Sequence, residues 1–277
     1  FDLETFRSDI PPIIRAMDNV IDNTIYPLKQ QEIEAVSKRR MGIGVTGVAN
    51  ALELMGHPYA SEGYIEVQSK ILETLRDEAY RASALLAAEK GPFPKFERDK
   101  YLEAPFICDL PGDVRDLIAE HGIRNSHLLS IAPTGTISLS ADNISSGIEP
   151  VFSHEYSRTI ITEDGPVVER VTDWAYREHG LKGRTADELE PEDHVRVLVA
   201  AQRYVDSAVS KTCNVGESVS WERFKDIYVQ AWKGGAKGCT TFRAAGKRSG
   251  VLVKTETEKE SLACRIDPVT GMKTCDA

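Results

Sequence analysis

Cysteine is scarce in this chain: five in 277 residues, at Cys108, Cys213, Cys239, Cys264 and Cys275, with no Cys-x-x-Cys pair. An odd, sparse set of this kind excludes a disulfide framework. The six histidines (His57, His121, His127, His154, His179 and His194) are scattered, so no zinc site is expected. No apolar run approaches the ~18 residues that cross a bilayer. The N-terminus lacks the basic stretch and short apolar core of a secretory leader. The expectation is a cytoplasmic protein with no membrane partner. What is present, 41% hydrophobic and 28% charged residues, is the balance of a globular chain with a substantial core, forming one large or two modest domains.

Basic surplus is also missing. The formal net charge of −9 argues against a nucleic-acid polymer as partner, since such binding needs Lys and Arg to meet phosphates. Yet Asp and Glu are absent from 231–255, where Lys233, Lys237, Arg243, Lys247, Arg248 and Lys254 fall. A local basic segment on an acidic protein suits a small anionic ligand; a merely solvated basic surface is the equal alternative on charge alone.

Helical and extended segments alternate, the pattern of an α/β protein with parallel strands. Pro11 and Pro12 suit the first turn of a helix carrying Ile13, Ile14, Met17 and Ile21. Val67, Ile71, Leu75 and Ala79 recur every four residues in a long helix that Gly91 can end. Further helices are expected through Leu54, from Asp113 to Glu120, around Val195 to Val205 with Pro191 near the start, and from Ser220 to Gly234. In the last of these Phe224, Ile227, Tyr228 and Ala231 are expected to face the core. Extended segments are read at Arg40–Val45, His127–Ile131, Lys211–Val215 and Gly238–Arg243.

Two glycine-bearing segments carry candidate chemistry. Gly42-Ile43-Gly44-Val45-Thr46-Gly47 matches Gly-x-Gly-x-x-Gly, but the preceding Gln30–Arg40 is polar and helix-like, not a buried strand. Close packing of strand, turn and helix explains those glycines better than a dinucleotide. The second segment is Ser130-Ile131-Ala132-Pro133-Thr134-Gly135-Thr136-Ile137-Ser138. It presents backbone N–H groups and hydroxyls where a buried strand ends, the edge of an α/β sheet at which ligands sit. Any helix starting there would aim its positive end at an anion. An ordinary Ser/Thr-rich turn is the bland alternative.

Seven residues after Ser138 comes Ser145-Ser146-Gly147-Ile148-Glu149-Pro150-Val151-Phe152. That pairing resembles the large, catalytic subunit of ribonucleotide reductase. Three more segments agree in order and approximate spacing: Asp18–Asp22 with Tyr26-Pro27, Arg39–Gly47, and Ala231-Trp232 to Gly238. The likeness spans residues 1 to about 252.

The resemblance implies a fold, the C-terminal half of a ten-stranded α/β barrel over residues 1–254, with a flexible redox tail at 255–277. It implies reduction of ribonucleotides to 2′-deoxyribonucleotides by radical chemistry, with Pro133, Thr134, Gly135, Thr136, Ile137 and Ser138 holding the substrate phosphates. The family's radical-cysteine pattern, Asn-x-Cys-x-Glu, is absent here. Cys213 is read as a packed strand residue, and Cys108 and Cys239 as buried structural ones. The chain is therefore expected to be a fragment or split-gene product needing an N-terminal half as partner. Gly238-Cys239-Thr240-Thr241-Phe242-Arg243 has no tyrosine pair, which resembles the adenosylcobalamin-dependent subclass. The basic run from Lys237 to Lys254 would then face the cofactor or the substrate phosphates. By the same resemblance Cys264 and Cys275 act as a redox shuttle served by a thioredoxin- or glutaredoxin-like reductant. The rival class is a non-catalytic nucleotide-binding regulatory module of the same fold.

Overall fold

A computed structural model describes residues 1–162, 165–216, 218–243, 252–254, 265–266 and 273–274. In chain order the helices are α1 (Leu3–Asn23), α2 (Lys29–Lys38), α3 (Val48–Leu54), α4 (Glu62–Lys90), α5 (Arg98–Leu102), α6 (Pro105–Cys108), α7 (Gly112–His121), α8 (Gly135–Ser140), α9 (Trp174–His179), α10 (Pro191–Gln202) and α11 (Trp221–Lys233). The strands are β1 (Glu155–Thr162), β2 (Gly165–Thr172), β3 (Thr212–Asn214), β4 (Thr240–Phe242), β5 (Leu252–Lys254), β6 (Arg265–Ile266) and β7 (Lys273–Thr274). Among the described residues no helix is long and apolar enough to cross a membrane.

α4 is the central strut. Ser61 caps it by accepting the Tyr64 N–H (3.2 Å), and Gly91 ends it at φ +81°. Ile71, Leu75 and Ala79 lie buried along its length, as their four-residue spacing predicts. α1, α7 and α10 pack against it. α1 differs from expectation at its start. It begins at Leu3, because the Asp2 carboxylate accepts the N–H groups of Glu4 and Thr5, and Pro11 and Pro12 therefore fall inside the helix, not in its first turn. The buried face of α1 is Ile10, Ile14 and Asp18, spaced four apart.

Asp18 is fully buried, and its charge is met from every side. Arg39 donates to it at 2.7 and 2.9 Å, Asn125 at 3.0 Å, Arg124 at 3.2 Å and Lys90 at 3.3 Å. Burial pushes its carboxyl up, but the hydrogen bonds from Arg39 and Asn125 outweigh it and hold the group below the usual range. This cluster ties α1 to α4 and to the Arg39 and Arg124 backbones.

The extended segments form a parallel series. Ile43 bridges to Leu129, Ile131 bridges to Val209, and β3 pairs in parallel with β4 in the register Thr212–Thr240, Cys213–Thr241 and Asn214–Phe242. The order across the series is 41–43, 128–131, 207–214 and 240–242. All four sequence-read segments are present but shorter than read, because much of each is held by isolated bridges or side-chain clamps. The described part of the series has open ends and does not by itself close a barrel. An antiparallel hairpin of β1 and β2, which sequence patterning missed, forms a separate sheet in which β5 pairs with the other edge of β1. Ser220 caps α11 as expected, and Ile227 and Ala231 face the core, but the Tyr228 ring is 40% exposed with its hydroxyl 2.8 Å from Thr241 Oγ1.

Candidate functional site

The site is built where the central extended segment ends. Residues 128–131 are buried at Leu128, Leu129 and Ile131, and the carboxylate of Asp206 grips this segment by accepting the N–H groups of Leu128 (2.7 Å) and Leu129 (3.1 Å). Asp206 also accepts the Tyr80 hydroxyl at 2.6 Å, which anchors the segment to α4. On the other side the glycine motif comes very close. A Cβ on Gly44 would lie 2.3 Å from the Ser130 carbonyl oxygen, and one on Gly42 would lie 2.2 Å from Ser130 Oγ. Those glycines exist for backbone packing, as the sequence reading held, and no dinucleotide turn is formed.

From this clamped strand the chain turns through Ala132 and Pro133, both exposed, into Thr134. Thr134 adopts left-handed backbone (φ 51°, ψ 20°), a conformation that costs a β-branched residue about 1 kcal/mol or more. α8 follows without any side-chain cap. Gly135, Thr136 and Ile137 are exposed, and their N–H groups, the first three of α8, have no acceptor among the described residues. These three amides, with the Thr136 hydroxyl beside them, are arranged to receive an anion. Ser138 is different: it is buried, its N–H and hydroxyl both donate to the Thr134 carbonyl, and its Oγ lies 2.8 Å from Ser146 Oγ. It is a clasp within the loop, not a group offered outward.

The loop is backed by the Ser145–Phe152 segment. Gly147 donates its N–H to Thr134 Oγ1 (2.8 Å), and a Cβ on Gly147 would meet the Ala132 carbonyl at 2.8 Å. Asn50 accepts the Ser145 N–H at 2.5 Å and donates to Asp173 at 3.0 Å, fastening the segment to α3 and α9. Thr46 joins both pieces, 3.1 Å from Thr134 Oγ1 and donating to the Ser145 carbonyl at 2.9 Å. None of Thr46, Asn50, Asp173 and Asp206 was singled out from sequence for a role. Their roles depend on partners 77 to 126 positions away, and only the Gly-x-Gly-x-x-Gly segment containing Thr46 had drawn attention.

Glu149 reaches the next strand. It accepts the Lys211 ammonium at 2.6 Å and the Thr212 N–H at 2.6 Å. Lys211 is fully buried and also lies 2.9 Å from His194 Nδ1. Burial, then the Lys211 charge, pushes the His194 pKa down to about 3, so this imidazole is neutral in the folded protein.

Cys213 is buried in β3, as read from sequence, with its sulfur 3.7 Å from Cys239 Sγ. The hydrogen bond with Cys239, then burial, pushes its thiol well up, which makes it unreactive. Two cysteine readings need correction: Cys108 is exposed, on the short α6, and Cys239 is only partly buried. In the basic run, Lys237 is exposed and its ammonium donates to the Asp206 carbonyl. Lys247 and Arg248, and the shuttle cysteines Cys264 and Cys275, lie outside the described residues.

The exposed amides of Gly135, Thr136 and Ile137, at the end of a clamped parallel segment of an α/β domain, form a loop with the geometry to receive an anion. Residues 1–242 match the family model described as ribonucleotide reductase, barrel domain, and the chain belongs to that family. It is 32% identical over 278 aligned residues to the vitamin B12-dependent ribonucleoside-diphosphate reductase of Mycobacterium tuberculosis (strain CDC 1551 / Oshkosh), covering 90% of this chain and 37% of that protein. The namesake enzyme of Thermoplasma acidophilum is 30% identical, over 98% of this chain and 37% of its own length. A ribonucleoside-diphosphate reductase subunit alpha of Treponema pallidum is 26% identical over 85% of this chain and 28% of that protein. The chain thus spans only 28% to 37% of the length of these relatives.

Proposed function

We propose that this chain is the phosphate-holding C-terminal part of a ribonucleotide reductase catalytic subunit, which converts ribonucleoside di- or triphosphates to 2′-deoxyribonucleotides. The observation that carries the reading is the loop Pro133–Ile137, whose three unpaired amides point outward from a segment held rigid by Asp206. The amides of Gly135, Thr136 and Ile137 and the Thr136 hydroxyl take the phosphates. Pro133, Thr134 and Ser138 shape the loop around them. Ground-state positioning of this kind places the ribose against a radical supplied elsewhere in the barrel.

That radical centre comes from the remainder of the barrel, on the same polypeptide or a separate one, since no Asn-x-Cys-x-Glu occurs in these 277 residues. The relatives are named vitamin B12-dependent, and adenosylcobalamin is the cofactor of this reading, supplying the initiating radical when bound. β4 carries Thr240, Thr241 and Phe242, none of which can relay a radical from a second subunit as paired tyrosines would. Cys264 and Cys275 act as the redox shuttle, passing electrons from a thioredoxin- or glutaredoxin-like protein by thiol–disulfide exchange.

The test is reconstitution. The chain, joined to or mixed with a segment carrying the radical cysteine, is given adenosylcobalamin, a ribonucleotide and a dithiol, and deoxyribonucleotide formation is measured. Confirmed assembly with no product sinks the enzyme reading. Cys264→Ser with Cys275→Ser is expected to abolish thioredoxin-driven turnover and spare turnover driven by a small dithiol. Equal loss with both reductants removes the shuttle.

A further inference from the structure

A threonine at the position before a helix ordinarily turns its hydroxyl onto the N–H of the second or third helical residue and adopts extended backbone. Thr134 does neither. Its backbone is left-handed, and its hydroxyl makes no bond to Thr136 or Ile137. The hydroxyl is instead held from behind by two groups, accepting the Gly147 N–H at 2.8 Å and meeting Thr46 Oγ1 at 3.1 Å. The proton directions follow from counting hydrogens. Thr46 spends its single hydroxyl hydrogen on the Ser145 carbonyl, so Thr134 is the donor to Thr46. Thr134 therefore has no hydrogen left for a ligand, and its oxygen is kept away from the loop amides.

We propose that Thr46 is a positioning residue for the phosphate loop: by holding the Thr134 hydroxyl backward, it stops Thr134 from capping the amides of Thr136 and Ile137 and so keeps them free for phosphate. The inference rests on the reading that this loop binds substrate phosphate. Without Thr46, Thr134 relaxes to extended backbone, its hydroxyl takes a loop amide, and the anion must displace it. The Gly-x-Gly-x-x-Gly segment thereby gains a functional role beyond close packing, through the threonine between its second and third glycines.

The experiment measures affinity of the full chain for a ribonucleoside diphosphate and for inorganic pyrophosphate by calorimetry, with thermal melts alongside. Thr46→Val is expected to weaken both ligands about tenfold, the loss of one hydrogen bond to a charged group. Thr46→Ser, which keeps the hydroxyl, stays within about twofold of wild type. Thr134→Gly removes the competing hydroxyl and accepts left-handed backbone freely; its own affinity is the baseline, and on that background Thr46→Val is expected to cost less than about twofold, because no hydroxyl is left to take the amides. A general loosening of the fold by Thr46→Val would cost as much on either background. Wild-type affinity in Thr46→Val overturns the inference and leaves phosphate binding standing, as does a tenfold loss from Thr46→Val on the Thr134→Gly background. If Thr46→Val does not fold, Thr46→Ala is measured in its place on both backgrounds. No binding by wild type overturns the phosphate reading, and this inference with it.

Discussion

Two polar regions of this molecule are built on opposite plans. Around Asp18 a buried carboxylate meets two arginines, a lysine and an asparagine, and little of its bonding capacity is left over. At Pro133–Ile137 three amides and a hydroxyl stand in the open with no partner among the described residues. The first plan holds helices together, since a buried charge is tolerable only when fully matched. The second stores binding capacity, since a donor fixed in place but unspent loses little on meeting an anion. Saturated polar clusters mark structure, and rigid unsaturated ones mark ligand sites. Glu149–Lys211 belongs to the first kind, although His194 in the same cluster keeps a buried Nε2 with no partner among the described residues.

The comparison breaks most visibly at Asp18. Asp18→Ala leaves Arg39 buried with only the half-exposed Asp22 as counter-charge and is expected to cost about 3 kcal/mol in urea denaturation. A cost under ~1 kcal/mol would show that the cluster is decorative. Gly44→Ala drives a methyl into the Ser130 carbonyl and should cost about 2 kcal/mol, whereas Gly135→Ala, with nothing within 4 Å of the new Cβ, should stay within ~0.5 kcal/mol. Comparable losses in both would mean that the loop is as tightly packed as the strand behind it. Thr136→Ala should leave stability unchanged and weaken nucleoside diphosphate binding about tenfold, ~1.4 kcal/mol, read by calorimetry. Unaltered affinity would shift the grip wholly onto the amides.

The smallest effect is a pH slope. His194 titrates near 3 when folded and near 6.5 when unfolded, so between those values the unfolded chain holds more protons. Stability from this group is complete above about pH 6.5 and falls as pH drops toward 3, by about 1 kcal/mol between pH 6 and 5. His194→Gln should remove that part of the acid-side slope. An unchanged slope would place the histidine in contact with water.

Much of this was legible before any coordinates. The four-residue spacing of Ile71, Leu75 and Ala79, the serine cap at 220, and the stop at Gly91 follow local rules, because helix boundaries depend on neighbours within one turn. The loop Ser130–Ser138 was legible as a turn leaving the end of a buried segment because its motif is short and contiguous. Less legible were the strands, which here are brief and held by clamps such as Asp206. The β1–β2 hairpin was missed although the sequence carries Asp164-Gly165 between its strands, and the two prolines of α1 misplaced its start because the Asp2 cap nine residues earlier outranked them. Ser138 could not be told from its neighbours by type: a serine offered to a ligand and one clasping its own loop read alike.

For the loop Ser130–Ser138, the sequence by itself determined which residues could meet a phosphate and pointed to close packing at Gly42, Gly44 and Gly47. Only the tertiary structure decided which of the loop residues are free to do so and that Gly147 must also lack a side chain. Thr134, Thr136 and Ser138 are equivalent as hydroxyls or amides on paper, and differ because distant partners, Thr46 and Ser146, consume two of the three. Hydrogen-bond capacity is a local property of a residue, but whether it is already spent depends on what the fold brings within 3 Å.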